Sequence, residues 1–160
     1  MVDSVSGRAA GQSQPVDLTS IPSIVAALYR TISGPAGAPR DWALERRLLH
    51  PGARLMPTRS GPDGAGLIEV FDLDGYIASR APIFAADAVY EVEIGRQEWR
   101  FGHIAQVLSA YELRRTPEGP PYLRGINNIQ LFWDGSRWWV MSILWDNERP
   151  GLRLPPELGG

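Results

Sequence analysis

The chain has 160 residues, with 18 acidic and 16 basic side chains for a net charge of −2, 44% apolar residues and no cysteine. That length holds one domain with a hydrophobic core and not two ordinary ones. The even charge balance gives no basic stripe and argues against a nucleic-acid partner, while the missing cysteines exclude disulfides, thiolate chemistry and cysteine metal sites.

Residues 1–17 are rich in Gly, Ser, Gln and Ala. They read as a disordered lead-in, because they offer little apolar area to offset ordering entropy. They hold no apolar signal core, and no run approaches the roughly 18 apolar residues of a membrane span. The expectation is a cytoplasmic protein without membrane contact. A single domain is expected over residues 18–148. Residues 149–160 form a Pro/Gly-rich tail whose prolines deny it a ladder or a helix interior.

Ile21, Ile24, Val25, Leu28, Tyr29 and Ile32 recur at helical spacing after a Ser20 or Thr19 cap and Pro22. A second, shorter helix opens at Asp41 and Trp42 and stops at His50-Pro51-Gly52. Residues 53–56 and 66–71 read as short strands around a turn-rich loop, and 73–84 as a brief helix that Pro82 argues against. Alternation then predicts strands over 88–94, 101–114, 123–133 and 137–145, the last two joined at Asp134-Gly135, a strong hairpin signal. Helices first and antiparallel strands after them make an α+β domain, the helices covering one face of the sheet.

The last strand carries Trp138, Val140, Ser142 and Leu144 on one side and Trp139, Met141, Ile143 and Trp145 on the other. Neither side looks wet, although a half-exposed antiparallel sheet has one polar face. One face is expected to close over the helices and the other to meet a second copy of the chain, giving a homodimer. Strict alternation separates Trp138 from Trp145 unless a bulge intervenes. A four-residue loop would set Trp133 opposite Trp138, and a two-residue loop would set Leu131 there.

Only two histidines are present, with no pair at helical spacing, so no metal centre is expected. The loop over 61–66 lacks the ending of a phosphate cradle. What remains is a set of polar groups within apolar elements. His103 reads either as a histidine satisfied within the sheet or as a pocket acid or base. Glu112 reads as the cross-strand ion-pair partner of an arginine or, if unpaired and buried, as a base. Asn127 and Asn128 sit mid-strand and require partners if buried. Tyr29 and Trp42 read as core aromatics with polar tips, Asp41 as a helix cap, and Tyr111 shares a strand side with His103. Trp145, beside Asp146 and Asn147 at the strand end, is the tryptophan expected to touch a ligand.

The helix residues 24–29, Asp41-Trp42 and His50-Pro51-Gly52-Ala53-Arg54-Leu55 resemble the opening of a SnoaL-like, NTF2-like domain. The runs Arg100-Phe101-Gly102-His103-Ile104-Ala105-Gln106-Val107, Arg124-Gly125-Ile126-Asn127-Asn128-Ile129 and Trp138-Trp139-Val140-Met141-Ser142-Ile143-Leu144-Trp145 resemble its later strands. The resemblance spans about residues 18–148. It implies a cone-shaped barrel of curved antiparallel sheet around N-terminal helices, an apolar internal pocket and dimers across the outer sheet. Such domains include isomerases, cyclases, dehydratases, hydrolases and pure binding or scaffold modules, so fold does not select function. By resemblance to the ketosteroid isomerase branch, Tyr29 takes the element of the catalytic tyrosine and Asp41 the segment after it. The leading expectation is binding of a small, mainly apolar molecule by Tyr29, Trp42, Tyr111, Asn127 and Trp145, with no cofactor. The alternatives are a proton-transfer enzyme acting through His103, Asp41 and Tyr29, and a non-catalytic dimeric scaffold.

Overall fold

The computed structural model describes residues 15–160; most of the expected N-terminal lead-in, residues 1–14, lies outside the described residues. Helix α1 (Ile21–Ile32) starts where the Ser20 hydroxyl accepts the Ser23 amide at 3.3 Å, and its apolar stripe, Ile21, Ile24, Val25 and Leu28, is buried. Helix α2 (Trp42–Leu48) is capped by Asp41, whose carboxylate accepts the Leu44 amide at 2.9 Å. Helix α3 (Leu73–Ala86) is capped by Asp72 and runs straight through Pro82. Sequence pattern undersells this helix because a proline removes the bond to the carbonyl four residues back. Here that carbonyl belongs to Ala78, and both residues are solvent-exposed, so water can take the place of the missing donor.

The strands are β1 (Leu49–Ser60), β2 (Gly66–Ile68), β3 (Tyr90–Phe101), β4 (Ile104–Arg114), β5 (Pro121–Trp133) and β6 (Trp138–Asn147). They form one sheet in the order β2-β1-β6-β5-β4-β3, with β1 parallel to β6 and every other pair antiparallel. The pairing ends at β2 on one side and β3 on the other, and these two do not meet. The expected cone-shaped barrel is therefore corrected to an open six-stranded sheet in an α+β fold. At one edge β2 offers only three residues for pairing, and the helices are tied to the sheet near both ends of the strand order. A Gly34–Val89 bridge links the end of α1 to the start of β3, and a Leu55–Phe71 bridge links β1 to the segment before α3. The helices cover one sheet face, and their apolar stripes meet Val107, Ile129, Leu131 and Val140 in a single core.

Two expected strands merge differently from the pattern. The segment from 88 to 114 is a hairpin, β3 and β4, turning at Gly102-His103, with Gly102 at φ +55°. The alternation breaks inside β3 because its register shifts between Glu93 and Gly95. Strand β1 begins at Leu49, four residues before the expected start at Ala53, and tolerates Pro51 and Gly52 because its pairing with β6 is interrupted between Leu49 and Arg54.

The hairpin β5–β6 takes the four-residue loop: Trp133 faces Trp138, and Gly135 sits at φ +102°. Asp134 organises the loop by accepting the amides of Ser136 and Arg137 and the indole N–H of Trp139. The pairing then jumps from Gln130–Ser142 to Leu131–Val140, so Met141 is the extra residue of a bulge. A bulge reverses the facing of every residue beyond it. Trp138, Val140, Ile143 and Trp145 consequently share the inner face and join one core, whereas the Trp139 ring lies against His50 and Arg137. The C-terminal residues fold back onto the outer sheet face, where Leu154 and Leu158 are buried with Ala110.

Candidate functional site

Between the helices and the inner face of the sheet lies a cavity of about 370 Å³. Its walls are apolar and aromatic: Leu28 from α1, Tyr76 and Phe84 from α3, Tyr111 from β4, Ile129 from β5 and Trp145 from β6. Trp145 reaches it because of the Met141 bulge, and its ring meets that of Tyr76 edge-on at 6.0 Å between centroids. Alternation places Tyr111 and Asn127 on the inner face, along with Val107, Ser109 and Ile129. The Tyr111 hydroxyl donates to the Asn147 side-chain carbonyl at 2.5 Å.

One end of the cavity is polar. Asn127 donates from its amide nitrogen to Glu91 Oε1 at 3.0 Å and to the Tyr29 hydroxyl at 3.3 Å. Tyr29 lies 2.6 Å from Ser109 Oγ, and Ser109 in turn donates to Glu93. Glu93 is held by a two-pronged bond from Arg96, at 2.9 and 2.7 Å. The shift of register between Glu93 and Gly95 is what puts residues 93 and 96 on one face. The chain of bonds from Arg96 to Glu91 fixes proton directions: Ser109 gives its proton to Glu93, Tyr29 gives its own to Ser109, and Asn127 supplies both neighbours.

Two buried carboxyl groups border the cavity. Glu91 is pushed up to about 7 by burial, against the opposing hydrogen bond from Asn127 and with a further push from the charge of Glu45. Its surface is half-buried only because one side opens on the cavity. Glu45, on α2, is also pushed up to about 7 by burial, which outweighs its hydrogen bond from Thr31. Neither has an arginine ion-pair partner among the described residues. Burial and the charge of Glu91 raise the Tyr29 phenol above its ordinary value, and the same two causes act on Tyr111. Burial, Glu45 and Glu91 do the same to Tyr76.

Of the residues singled out by sequence, Tyr29, Tyr111, Asn127 and Trp145 border the cavity together. Trp42 stands behind its wall, packed against Tyr76 and Phe84 at 6.4 and 5.9 Å between ring centroids. Asp41 is exposed and serves as the α2 cap. His103 does not open a strand; it is exposed in the β3–β4 turn, and its backbone carbonyl accepts the Trp133 amide at 2.8 Å. Glu112 pairs with Arg114 and Arg124 and lies on the other side of the sheet from Glu91. Sequence reasoning passed over Glu91 and Glu45. A signal existed for each: Glu91 shares its strand side with buried Val89, and Glu45 stands three residues from Trp42 and Leu48 in the apolar stripe of α2. Among the described residues no cluster of His, Asp and Glu suits a metal ion.

No protein-family model matches the chain, and no curated protein sequence does. Solved structures do match in fold. A Thiobacillus denitrificans protein assigned to the association domain of calcium/calmodulin-dependent protein kinase type II superposes with a TM-score of 0.61 at 13% identity, over 85% of this chain and 100% of that one. An NTF2-like protein from Cytophaga hutchinsonii gives 0.59 at 15% identity, over 80% and 95%. A protein of unknown function from Mycobacterium tuberculosis gives 0.59 at 16% identity, over 84% and 75%.

Proposed function

We propose that this chain, which has the NTF2-like fold, binds a small, mainly apolar molecule in the cavity over its inner sheet face. The observation that carries this reading is the cavity itself: about 370 Å³ of space with aromatic and aliphatic walls and a polar end at Glu91, Asn127 and Tyr29. Small-molecule sites combine these features, apolar walls for affinity and a few convergent polar groups for orientation. Native mass spectrometry of freshly purified protein tests it. A retained small-molecule mass that is displaced on unfolding supports the reading. It fails if no mass is retained and no aromatic or aliphatic probe quenches the tryptophan emission to which Trp145 contributes.

Proton-transfer catalysis is the second reading, favoured by one arrangement: the Glu91 carboxyl lines the apolar cavity, where burial pushes it up to about 7. A general base works best when its pKa lies near the working pH. Glu91 takes the part that His103 and Asp41 were expected to play. Tyr29 directs its proton at Ser109 and Asn127 directs its two at Glu91 and Tyr29, so the Tyr76 hydroxyl is left to face a developing oxyanion. Exchange of α-protons on a cyclic ketone, followed by NMR in heavy water, checks this. Exchange catalysed by the protein and lost in Glu91→Gln supports it; no exchange above buffer removes it.

The outer face points to the partner. Trp99, Phe101, Ile104 and Phe132 are exposed there, at 52, 83, 61 and 38% of their surfaces, on neighbouring strands beside Met141. A contiguous apolar patch of this kind marks an interaction surface. A second copy of the chain, packed sheet to sheet, would cover it with the same residues. Sedimentation at micromolar concentration is expected to give a dimer, and Phe101→Asp a monomer; a monomeric wild-type protein would end this part of the proposal.

A further inference from the structure

The polar end of the cavity is built of acceptors. Glu91 Oε1 and the Asn127 amide nitrogen are engaged with one another, and the Asn127 nitrogen also serves Tyr29. Glu91 Oε2 and Asn127 Oδ1 have no hydrogen-bond partner among the described residues. Among the described residues no fully buried side-chain polar atom is left unpartnered, so both oxygens, on residues that line the cavity, reach its open space. Reversing the Asn127 amide would turn its oxygen toward Glu91, which a carboxylate disfavours. The second acid, Glu45, borders the same space without a cationic partner. Two acids and an amide oxygen therefore border one cavity, and among the described residues neither acid is in an ion pair.

The nearby cations have other partners. Arg115 pairs with Asp87 at 3.1 Å and stacks on Tyr122 at 4.3 Å. Arg80 lies over the rings of Tyr76 and Trp145, at 5.5 and 5.9 Å. That placement shows the same two rings already serving as platforms for a cation, since a ring face attracts positive charge. A buried charge is tolerated when it is paired and hydrogen-bonded.

We propose that the ligand is an organic amine bound as its cation, with its ammonium group on Glu91 Oε2 and Asn127 Oδ1 and its apolar body among Tyr76, Tyr111 and Trp145. This rests on the binding reading above and names its ligand class. The groups facing Glu91 set the pH response: Tyr29 on α1, Glu45 on α2, Tyr76 and Arg80 on α3, Asp87 after it, Tyr111 on β4, Arg115 after it, and Tyr122 and Asn127 on β5. Burial leaves the empty-site carboxyl near about 7. Cation binding lowers that value, so below it binding must release a proton. Amine affinity then falls with acidification by up to about tenfold per pH unit, and is flat above about pH 7 until the amine itself deprotonates.

Isothermal titration with three probes of similar shape tests the proposal: phenethylamine, phenethyl alcohol and hydrocinnamate. At about pH 8 the amine is expected to bind about tenfold or more tighter than the alcohol, because a charge-assisted bond exceeds a neutral one. Hydrocinnamate is expected to bind weakest. Glu91→Gln keeps the side-chain shape and the bond from Asn127; it is expected to erase the preference for amine over alcohol. A circular-dichroism spectrum matching wild type shows that the variant is folded, and Glu91→Asp, which keeps the charge, is expected to keep part of the preference. Equal binding of amine and alcohol, a preference for hydrocinnamate, or an amine preference that survives Glu91→Gln overturns the ligand class while leaving the binding reading standing. Failure of all three probes at millimolar concentration overturns both.

Discussion

Two glutamates on adjacent strands occupy opposite faces of the same sheet and opposite electrostatic worlds. Glu112 of β4 is opposite Val92, the neighbour of Glu91 in β3. Glu112 is 6% exposed and lies between Arg114 and Arg124, at 2.8 and 2.6 Å. Those guanidinium groups, Arg114 first, hold its carboxyl below the usual range. Glu91 borders the cavity with an amide for company, and burial drives it up to about 7. A carboxylate that belongs to the architecture arrives with its own cations. One that faces a cavity without them leaves the countercharge to a proton or a ligand.

The comparison breaks first at Glu112. Glu112→Ala leaves Arg114 and Arg124 without their shared anion. Removing one partner of a buried ion pair is strongly destabilising, and the partial exposure of both arginines reduces the figure to about 3 kcal/mol. Urea denaturation is expected to show that loss. A variant of wild-type stability would mean that the two acids differ less than their surroundings say.

Gly95 sharpens the contrast between the filled outer region and the open inner one. A Cβ at this position would lie 2.6 Å from the backbone carbonyl oxygen of Leu158. Backbone cannot yield as a side-chain tip can, so Gly95→Ala is expected to displace the segment that buries Leu154 and Leu158. Loss of that burial amounts to about 2 kcal/mol. Thermal melting and limited proteolysis near residue 150 check it: a lower midpoint with cleavage confined to the C-terminal segment is the expected pair of results. Unchanged resistance to protease would show that this segment is not held as the geometry implies.

Much of the inner region was legible in the sequence, and the reason is periodicity. The α1 stripe and the inner residues of β4 and β5 follow fixed spacings, so Tyr29, Tyr111 and Asn127 could be placed together before any coordinates. Trp145 stands out by its position at a strand end, but its face stays open in the sequence, because a single extra residue at Met141 inverts all that follows. His103 drew attention as one of only two histidines; a residue's chemistry does not say on which side of a turn it falls. Glu91 and Glu45 escaped because an acid within an amphipathic pattern is read as marking the wet face. Here it marks the cavity. Closure of the sheet could not be read either, since it depends on whether two distant edges meet, and no local spacing records that.

At Glu91 itself the contrast with Glu112 reappears as an opposite pH dependence of stability. The folded value of Glu91 lies above its ordinary value of 4.5, at about 7, and Glu45 behaves alike. The folded state therefore holds these protons more tightly than the unfolded chain does. Their contribution to stability is fully present below about pH 4.5, is lost as pH rises toward about 7, and stays lost above it. Glu91→Gln removes that dependence. The variant is expected to exceed wild type by about 1 kcal/mol at about pH 8 and to lose the advantage at about pH 4.5. Glu112, whose value is depressed, is expected to work the other way, stabilising at neutral pH and failing in acid. Parallel melts at the two pH values check the sign, and an advantage of Glu91→Gln that is the same at both would contradict the raised value.

The smallest effect is expected at His103, and its smallness is informative. The side chain is exposed in the β3–β4 turn, and the turn's link to β5 runs through the backbone carbonyl of residue 103. His103→Ala keeps that carbonyl, so stability should move by less than about 0.5 kcal/mol, as for surface changes away from special features. Phenethyl alcohol affinity, read by titration, should not move at all, because the residue does not border the cavity. A clear loss of affinity would require the β3–β4 turn to reach the ligand. The polar end of the site would then extend beyond Glu91, and the acid–amide pair would cease to be sufficient for recognition.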